Sequence, residues 1–148
     1  LLAIGGDLSP ARLLAAYHKG IFPWNEPHQP LLWWSPDPRG VIRPEQLHIG
    51  RTLRKFIRGT SFDISIDRAF NEVIAACAAP RRSASGTWIS TPMIDAYRQL
   101  HRLGHAHSIE IWQEGQLQAG LYGLSLGQVF CGADGLCKPY PGVQGFPW

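Results

Sequence analysis

Six prolines, Pro23, Pro27, Pro30, Pro36, Pro38 and Pro44, fall between Ile21 and Pro44 and forbid a long helix over that stretch. Each removes a backbone N–H donor, fixes its own φ and pushes the preceding residue out of the helical region. The stretch must therefore run as extended segments and turns, with Phe22, Trp24, Trp33 and Trp34 filling the gaps. Longer regular elements belong on either side of it.

On the N-terminal side, Ser9-Pro10 followed by Leu13, Leu14 and Tyr17 and then Gly20 predicts a short helix. Ser9 would cap it, Pro10 suits the first helical position, and Gly20 stops it. On the C-terminal side, Arg51 to Arg58 predicts a basic helix with Leu53, Phe56 and Ile57 turned inward, and Phe62, Ile64 and Ile66 then alternate as in a half-buried strand. A helix is expected from Asp67, carrying Phe70, Val73, Ile74 and Cys77 on one face and ending before Pro80. Pro80 to Gly86, which contains Arg81 and Arg82, reads as a flexible basic loop. Thr91-Pro92 opens another helix, with Met93, Ile94, Tyr97 and Leu100 at helical spacing and Gly104 as its stop. Ser108–Trp112, Leu117–Leu124 and Gln128–Cys131, joined by turns at Glu114-Gly115 and Gly127, predict a three-strand antiparallel meander. Helices followed by a meander place the chain in the α+β class.

With 45% hydrophobic residues in 148, the chain can bury a core. No apolar run reaches the ~18–20 residues of a membrane helix, and the N-terminus lacks a signal-peptide layout, so a soluble, cytoplasmic protein without a membrane partner is expected. Cys77, Cys131 and Cys137 are odd in number and not closely paired, which supports neither a disulfide framework nor a cysteine zinc site. Leu1 in place of Met, and a Gly- and Pro-rich run ending at Trp148, suggest a piece of a longer protein.

Arg51, Arg54, Lys55 and Arg58 lie at i, i+3, i+4 and i+7 and so share one helix face. Such a stripe is either a solvated surface or a track for nucleic-acid phosphates, to which Arg81 and Arg82 would add. Without a pattern for reading bases, it suits recognition of an RNA stem by shape and backbone. The six tryptophans are either core or, for Trp24 and Trp88 in their turn-like segments, the walls of an apolar pocket. His105 and His107 would share a strand face, but no third metal ligand is near in sequence. Asp7, Asp37 and Glu110 are candidate bases whose positions equally suit turns or caps. No Walker phosphate loop and no GxGxxG fingerprint is present.

Several long words stand in fixed order: Leu1 to Pro10, Gly20-Ile21-Phe22-Pro23-Trp24, Leu32 to Arg39, Gly86-Thr87-Trp88-Ile89, Leu103 to Glu110, Gly120-Leu121-Tyr122-Gly123 and Phe130-Cys131-Gly132. In these words the chain resembles the bacterial leucyl/phenylalanyl-tRNA-protein transferases over most of its length. The resemblance implies an aminoacyltransferase that moves Leu or Phe from aminoacyl-tRNA to the N-terminal Arg or Lys of an acceptor protein, tagging it for degradation. It implies no metal or other cofactor, and a monomer is the expected state. It further implies a small N-terminal domain (1–61), the first part of an acetyltransferase-like (GNAT-type) domain (62–132) and an aberrant tail (133–148). By position in the family's words, Trp24, Trp88, Tyr97, Leu121 and Phe130 would form the aminoacyl site, and Arg51, Arg54, Lys55 and Arg58 would contact tRNA.

The wording departs from the family after Gly132. A carboxylate is expected where Ala133 stands, and the Asp134 to Pro141 segment does not follow the family. The catalytic residues are therefore not assigned, and a reading-frame change near Ala133 is the expected cause. Coding DNA whose shifted frame lacks the family's Ser-Arg and Ser-Lys words would sink that explanation. Such a chain is expected to be inactive alone, with an unpaired sheet edge and an uncovered apolar face. A non-catalytic tRNA-binding remnant is the alternative. A small-molecule acetyltransferase ranks lower, because its Arg/Gln-x-x-Gly-x-Gly/Ala pyrophosphate loop is not present.

Overall fold

A computed structural model describes residues 1–26, 28–79 and 87–137. The expected loop at Pro80–Gly86, with Arg81 and Arg82, and the tail beyond Cys137 lie outside the described residues. The proline-rich stretch does form short extended segments, and they pair. Strands β1 (Ala3–Ile4), β2 (Phe22–Pro23) and β3 (Leu32–Trp34) make a small antiparallel sheet in the order β1-β3-β2. Between β1 and β2 runs α1 (Pro10–Tyr17), with Pro10 at its start as expected. Ser9 holds the cap position without a side-chain cap bond. The turn before α1 is instead tied by Asp7, whose carboxylate accepts the Ser9 amide at 2.9 Å and an Arg12 guanidinium N–H at 3.1 Å.

After the basic helix α2 (Arg51–Gly59), β4 (Asp63–Ile66), α3 (Phe70–Ala78), α4 (Thr91–Arg102), β5 (Ala106–Gln113), β6 (Gln116–Leu126) and β7 (Val129–Cys137) follow. The predicted meander is the greater part of a four-stranded antiparallel sheet, β4-β5-β6-β7. The third strand runs past Cys131 to Cys137, so pairing with β6 continues through the segment whose wording departs from the family. Helix α3 starts at Phe70, later than expected, because Asp67 takes a left-handed conformation (φ 60°) that ends β4.

Helices α3 and α4 cover one face of the large sheet. Val73, Ile74, Met93, Tyr97 and Leu100 pack there against Tyr122 and Leu124 of β6, and Leu13, Tyr17 and Trp33 join the small sheet and α1 to the same core. Burying side chains of this size is worth roughly 1.5–3 kcal/mol each. Among the described residues no helix covers the other face, and two expectations about burial change. The alternation in β4 is real, but Ile64 and Ile66 point away from the helices and are 71% and 67% exposed, while Ser65 faces inward toward Glu110. Likewise Leu53 and Ile57 of α2 are about half exposed, at 51% and 52%, rather than turned inward; Phe56 packs on Phe62. Periodicity establishes that a face is apolar, but only a partner element buries it.

Gly123 marks where β7 crosses most closely. A Cβ at this position would stand 2.2 Å from the Cys131 carbonyl oxygen, beside the irregularity in β6–β7 register between Tyr122 and Gly123. Because the obstacle is backbone, Gly123→Ala is expected to destabilise by about 1–3 kcal/mol, read as a lower urea midpoint. Gly132→Ala, whose Cβ meets nothing within 4 Å, is the matched control.

Candidate functional site

The helix at Arg51–Gly59 carries no buried residue, and its four cations lie where the heptad-like spacing puts them. Arg51, Arg54, Lys55 and Arg58 together border one shallow depression of about 430 Å³. Arg54 is steadied by a long contact, 3.5 Å, to the Ile49 carbonyl. Four exposed cations around one hollow form a surface suited to several phosphates at once, and such contacts are strongly salt-dependent.

The open face of the large sheet holds a cleft of about 470 Å³, within the usual size range of small-ligand sites. Ile109 and Ile111 of β5, Leu121 of β6, and Gly132 and Ala133 of β7 line it. Strand alternation explains the set: Ser108, Glu110 and Tyr122 turn to the helices, so the residues between them turn outward. Ala133, where the family wording implies a carboxylate, stands on the cleft wall.

The five residues expected at an aminoacyl site are not all in one lining. Leu121 lines the cleft, and Phe130, paired with Ser125, is exposed on the same sheet face. Trp24 sits on the small sheet, exposed, with its ring edge-on to Trp34 at 6.1 Å and its carbonyl accepting the Trp34 indole N–H at 2.7 Å. Trp88 is half-buried just before α4. Tyr97 is buried entirely, sharing a hydroxyl–hydroxyl hydrogen bond with Tyr17 and standing edge-on to Tyr122 at 5.3 Å. Burial raises the Tyr97 hydroxyl well above its ordinary range and pushes Tyr17 up to about 12, so neither is a base at neutral pH.

Glu110 has become a core group. It is fully buried, and its carboxyl accepts Ser65 Oγ–H at 2.5 Å, the Ser108 hydroxyl and the Ala69 amide at 3.3 Å; the Trp112 indole N–H in turn donates to Ser65 Oγ at 2.8 Å. Asp7 is a turn residue held by Ser9 and Arg12. His105 precedes β5, whereas His107 lies within it, and among the described residues no cluster of three potential metal ligands forms. Gly123-Leu124-Ser125-Leu126-Gly127 spells the G-x-S-x-G of a nucleophile elbow, but here it is the end of β6 and its turn into β7, not a strand-to-helix turn.

His107 belongs instead to a cluster that sequence reading did not anticipate. Its Nδ1 lies 2.7 Å from Asp67 Oδ2, while Asp67 Oδ1 accepts the Ser108 amide at 2.9 Å. His101 of α4 stands 3.8 Å away, stacked on Phe70 with ring centroids 4.1 Å apart. Desolvation, the largest influence on Asp67, raises its pKa, but the His107 and Ser108 hydrogen bonds with the charge of His107 and His101 outweigh it and the net shift is downward. A lowered folded-state pKa contributes stability above the ordinary value of 3.8 that is lost as pH falls through the folded value. Asp67→Asn should therefore be less stable than the parent at neutral pH, with the gap closing below pH 3.8, as measured by urea unfolding across that range.

Comparison with known proteins gives these features a context. Residues 41–137 match the family model described as leucyl/phenylalanyl-tRNA protein transferase, and residues 6–37 match the N-terminal domain of the same family. The chain is similar to the leucyl/phenylalanyl-tRNA–protein transferases of Aeromonas hydrophila (99% identical over 132 residues), Tolumonas auensis (59% over 132) and Saccharophagus degradans (58% over 138). These alignments cover 89%, 89% and 93% of the chain and 56%, 56% and 57% of the relatives, so the chain spans little more than half their length. With two thirds of its residues in the main family model and a further segment in the N-terminal one, the chain belongs to the leucyl/phenylalanyl-tRNA protein transferase family.

Proposed function

We propose that this chain carries the tRNA-binding face and part of the aminoacyl site of an enzyme that transfers Leu or Phe from aminoacyl-tRNA to the N-terminal Arg or Lys of acceptor proteins. The observation that carries the reading is the family match over residues 41–137, which include both the four-cation helix and the apolar cleft. Arg51, Arg54, Lys55 and Arg58 take the phosphates of the acceptor stem. The cleft beside Leu121 takes the Leu or Phe side chain, a burial worth roughly 1.5–3 kcal/mol, and Phe130, Trp24, Trp88 and Tyr97 complete or support that site. Residues 1–61 then form an N-terminal domain, and the helices and meander from residue 62 form the first part of a GNAT-like domain. The reaction runs in the cytoplasm with no metal or other cofactor.

Ala133 on the cleft wall favours a second reading, a tRNA-binding remnant that does not catalyse. Labelled Leu-tRNA and a peptide beginning with Arg separate the two. Label appearing in the peptide supports the transferase; tRNA binding without transfer supports the remnant; neither binding nor transfer overturns both.

A further inference from the structure

We propose that the sheet face left uncovered by α3 and α4 is a self-association surface, through which two copies of this chain pack sheet on sheet as a dimer in place of the expected monomer. The two faces of the sheet are unlike. One holds the core under the helices, while the other is crossed by two apolar rows, Ile66–Ile109–Leu121 and Ile64–Ile111–Ala119, read across the paired strands. Neither row contains an Asp, Glu, Lys or Arg. His107, held by Asp67, stands one row beyond them. Among the described residues Asp134 is the one charged residue bordering the cleft, and its carboxylate accepts the Gly135 amide at 2.7 Å. A sheet face that stays in water turns polar side chains outward, whereas a contiguous apolar patch marks an interaction site. Rows without a cation do not suit nucleic acid, whose phosphates need one.

Shape selects a second copy as the partner. On the β4 side the face is a ridge, where Ile64 and Ile66 stand 71% and 67% exposed beside Ile111 and Ile109. Toward β6 and β7 it falls to the cleft of about 470 Å³, whose lining includes Ala119, Gly132, Ala133 and Gly135. A two-fold axis parallel to the strands, between β5 and β6, lays β4 of each copy over β7 of the other. The row from Ile66 through Ile109 and Leu121 ends at Gly135 on β7, and it then meets itself reversed. Ile66 sits over Gly135 of the second copy, and Ile109 packs against Leu121. Ridge enters hollow twice, with one patch serving both copies, so the contact closes at two. Aligned sheets about 10 Å apart are the ordinary geometry for such a contact.

The area is sufficient. With β5 eight residues long and four strands side by side, the face measures roughly 26 by 19 Å, or about 500 Å² per copy. Two such faces bury about 1,000 Å² before side-chain relief is counted, the size at which specific interfaces begin. The ridge also fills the space beside Leu121, so a dimer and a Leu or Phe side chain seated there exclude each other. That consequence, unlike the dimer itself, rests on the transferase reading above.

Sedimentation equilibrium of the 148-residue chain without tRNA, at roughly 1–100 µM, tests the proposal. The expected result is a monomer–dimer equilibrium with no larger species. Ile64→Lys with Ile66→Lys puts two charges on the ridge and should weaken the dimer by about a hundredfold or more. Both side chains are mostly exposed in a single copy, so the fold should tolerate the change. Ile64→Thr with Ile66→Thr keeps β-branched strand formers and should weaken the dimer about tenfold. Val41→Lys, at a 75% exposed position outside the sheet, should leave it unchanged. Circular dichroism matching the parent's qualifies each variant as folded. A parent that stays monomeric to about 100 µM, or that grows into open-ended assemblies, overturns the proposal. So does a dimer whose dissociation constant the folded Lys and Thr variants leave within about threefold.

Discussion

Glu110→Ala should lower the urea midpoint of the chain sharply, by a substantial share of its whole stability. The carboxyl is fully buried between the sheet and α3 and accepts from Ser65, Ser108 and the Ala69 amide. Truncation removes the carboxylate acceptor of the Ser65 and Ser108 hydroxyls, leaves the Ala69 amide at the α3 cap without it, and opens a cavity. An unsatisfied buried donor costs roughly 1–3 kcal/mol, and the cavity adds to that, so a total of about 3–5 kcal/mol is expected. Domains of this size are held by only about 5–15 kcal/mol, so the loss takes from about a fifth to all of that margin. Glu110→Gln keeps the volume and one acceptor oxygen and should cost less than half as much. Circular dichroism and urea titration of both variants check the order. An Ala variant with the parent's urea midpoint would show that the Ser65–Glu110–Ser108 network contributes nothing to holding β4 and α3 on β5.

The role of Glu110 was not legible in the sequence, because its partners come from three elements and Ser65 is 45 residues away. Local signals predicted what local physics decides. Pro10 and Gly20 bounded α1, the 3.6-residue spacing of Arg51 to Arg58 gave α2 and its cation face, and the Glu114-Gly115 and Gly127 turns gave the hairpins. What failed was the assignment of faces. Ile64 and Ile66 look like a buried alternation, yet the helices cover the Ser65 side, where Glu110 supplies a polar partner. For the site, the resemblance named Leu121, and the structure puts it in the cleft; Tyr97 was named too and lies in the core, where its hydroxyl meets Tyr17. The Asp67–His107 pair was missed because the two residues are 40 positions apart and Asp67 read as the start of a helix.

Replacing Arg51, Arg54, Lys55 and Arg58 together with Gln should abolish most tRNA affinity while leaving the fold intact. None of the four is buried, and Gln is nearly as good a helix former as Arg or Lys, so α2 should persist. Each phosphate neutralised by a cation contributes roughly 0.7–0.9 to the slope of log affinity against log salt. If all four bind phosphates, the slope should fall by about 3 and the affinity by roughly a hundredfold or more near 0.1 M salt. Leu53→Gln with Ile57→Gln alters the other, half-exposed side of the same helix and should leave the salt slope unchanged. Filter binding of Leu-tRNA over a salt series distinguishes the two variants. An unchanged slope in the four-cation variant would make the stripe an ordinary solvated surface, and the tRNA would then have to approach the cleft from another side of the molecule.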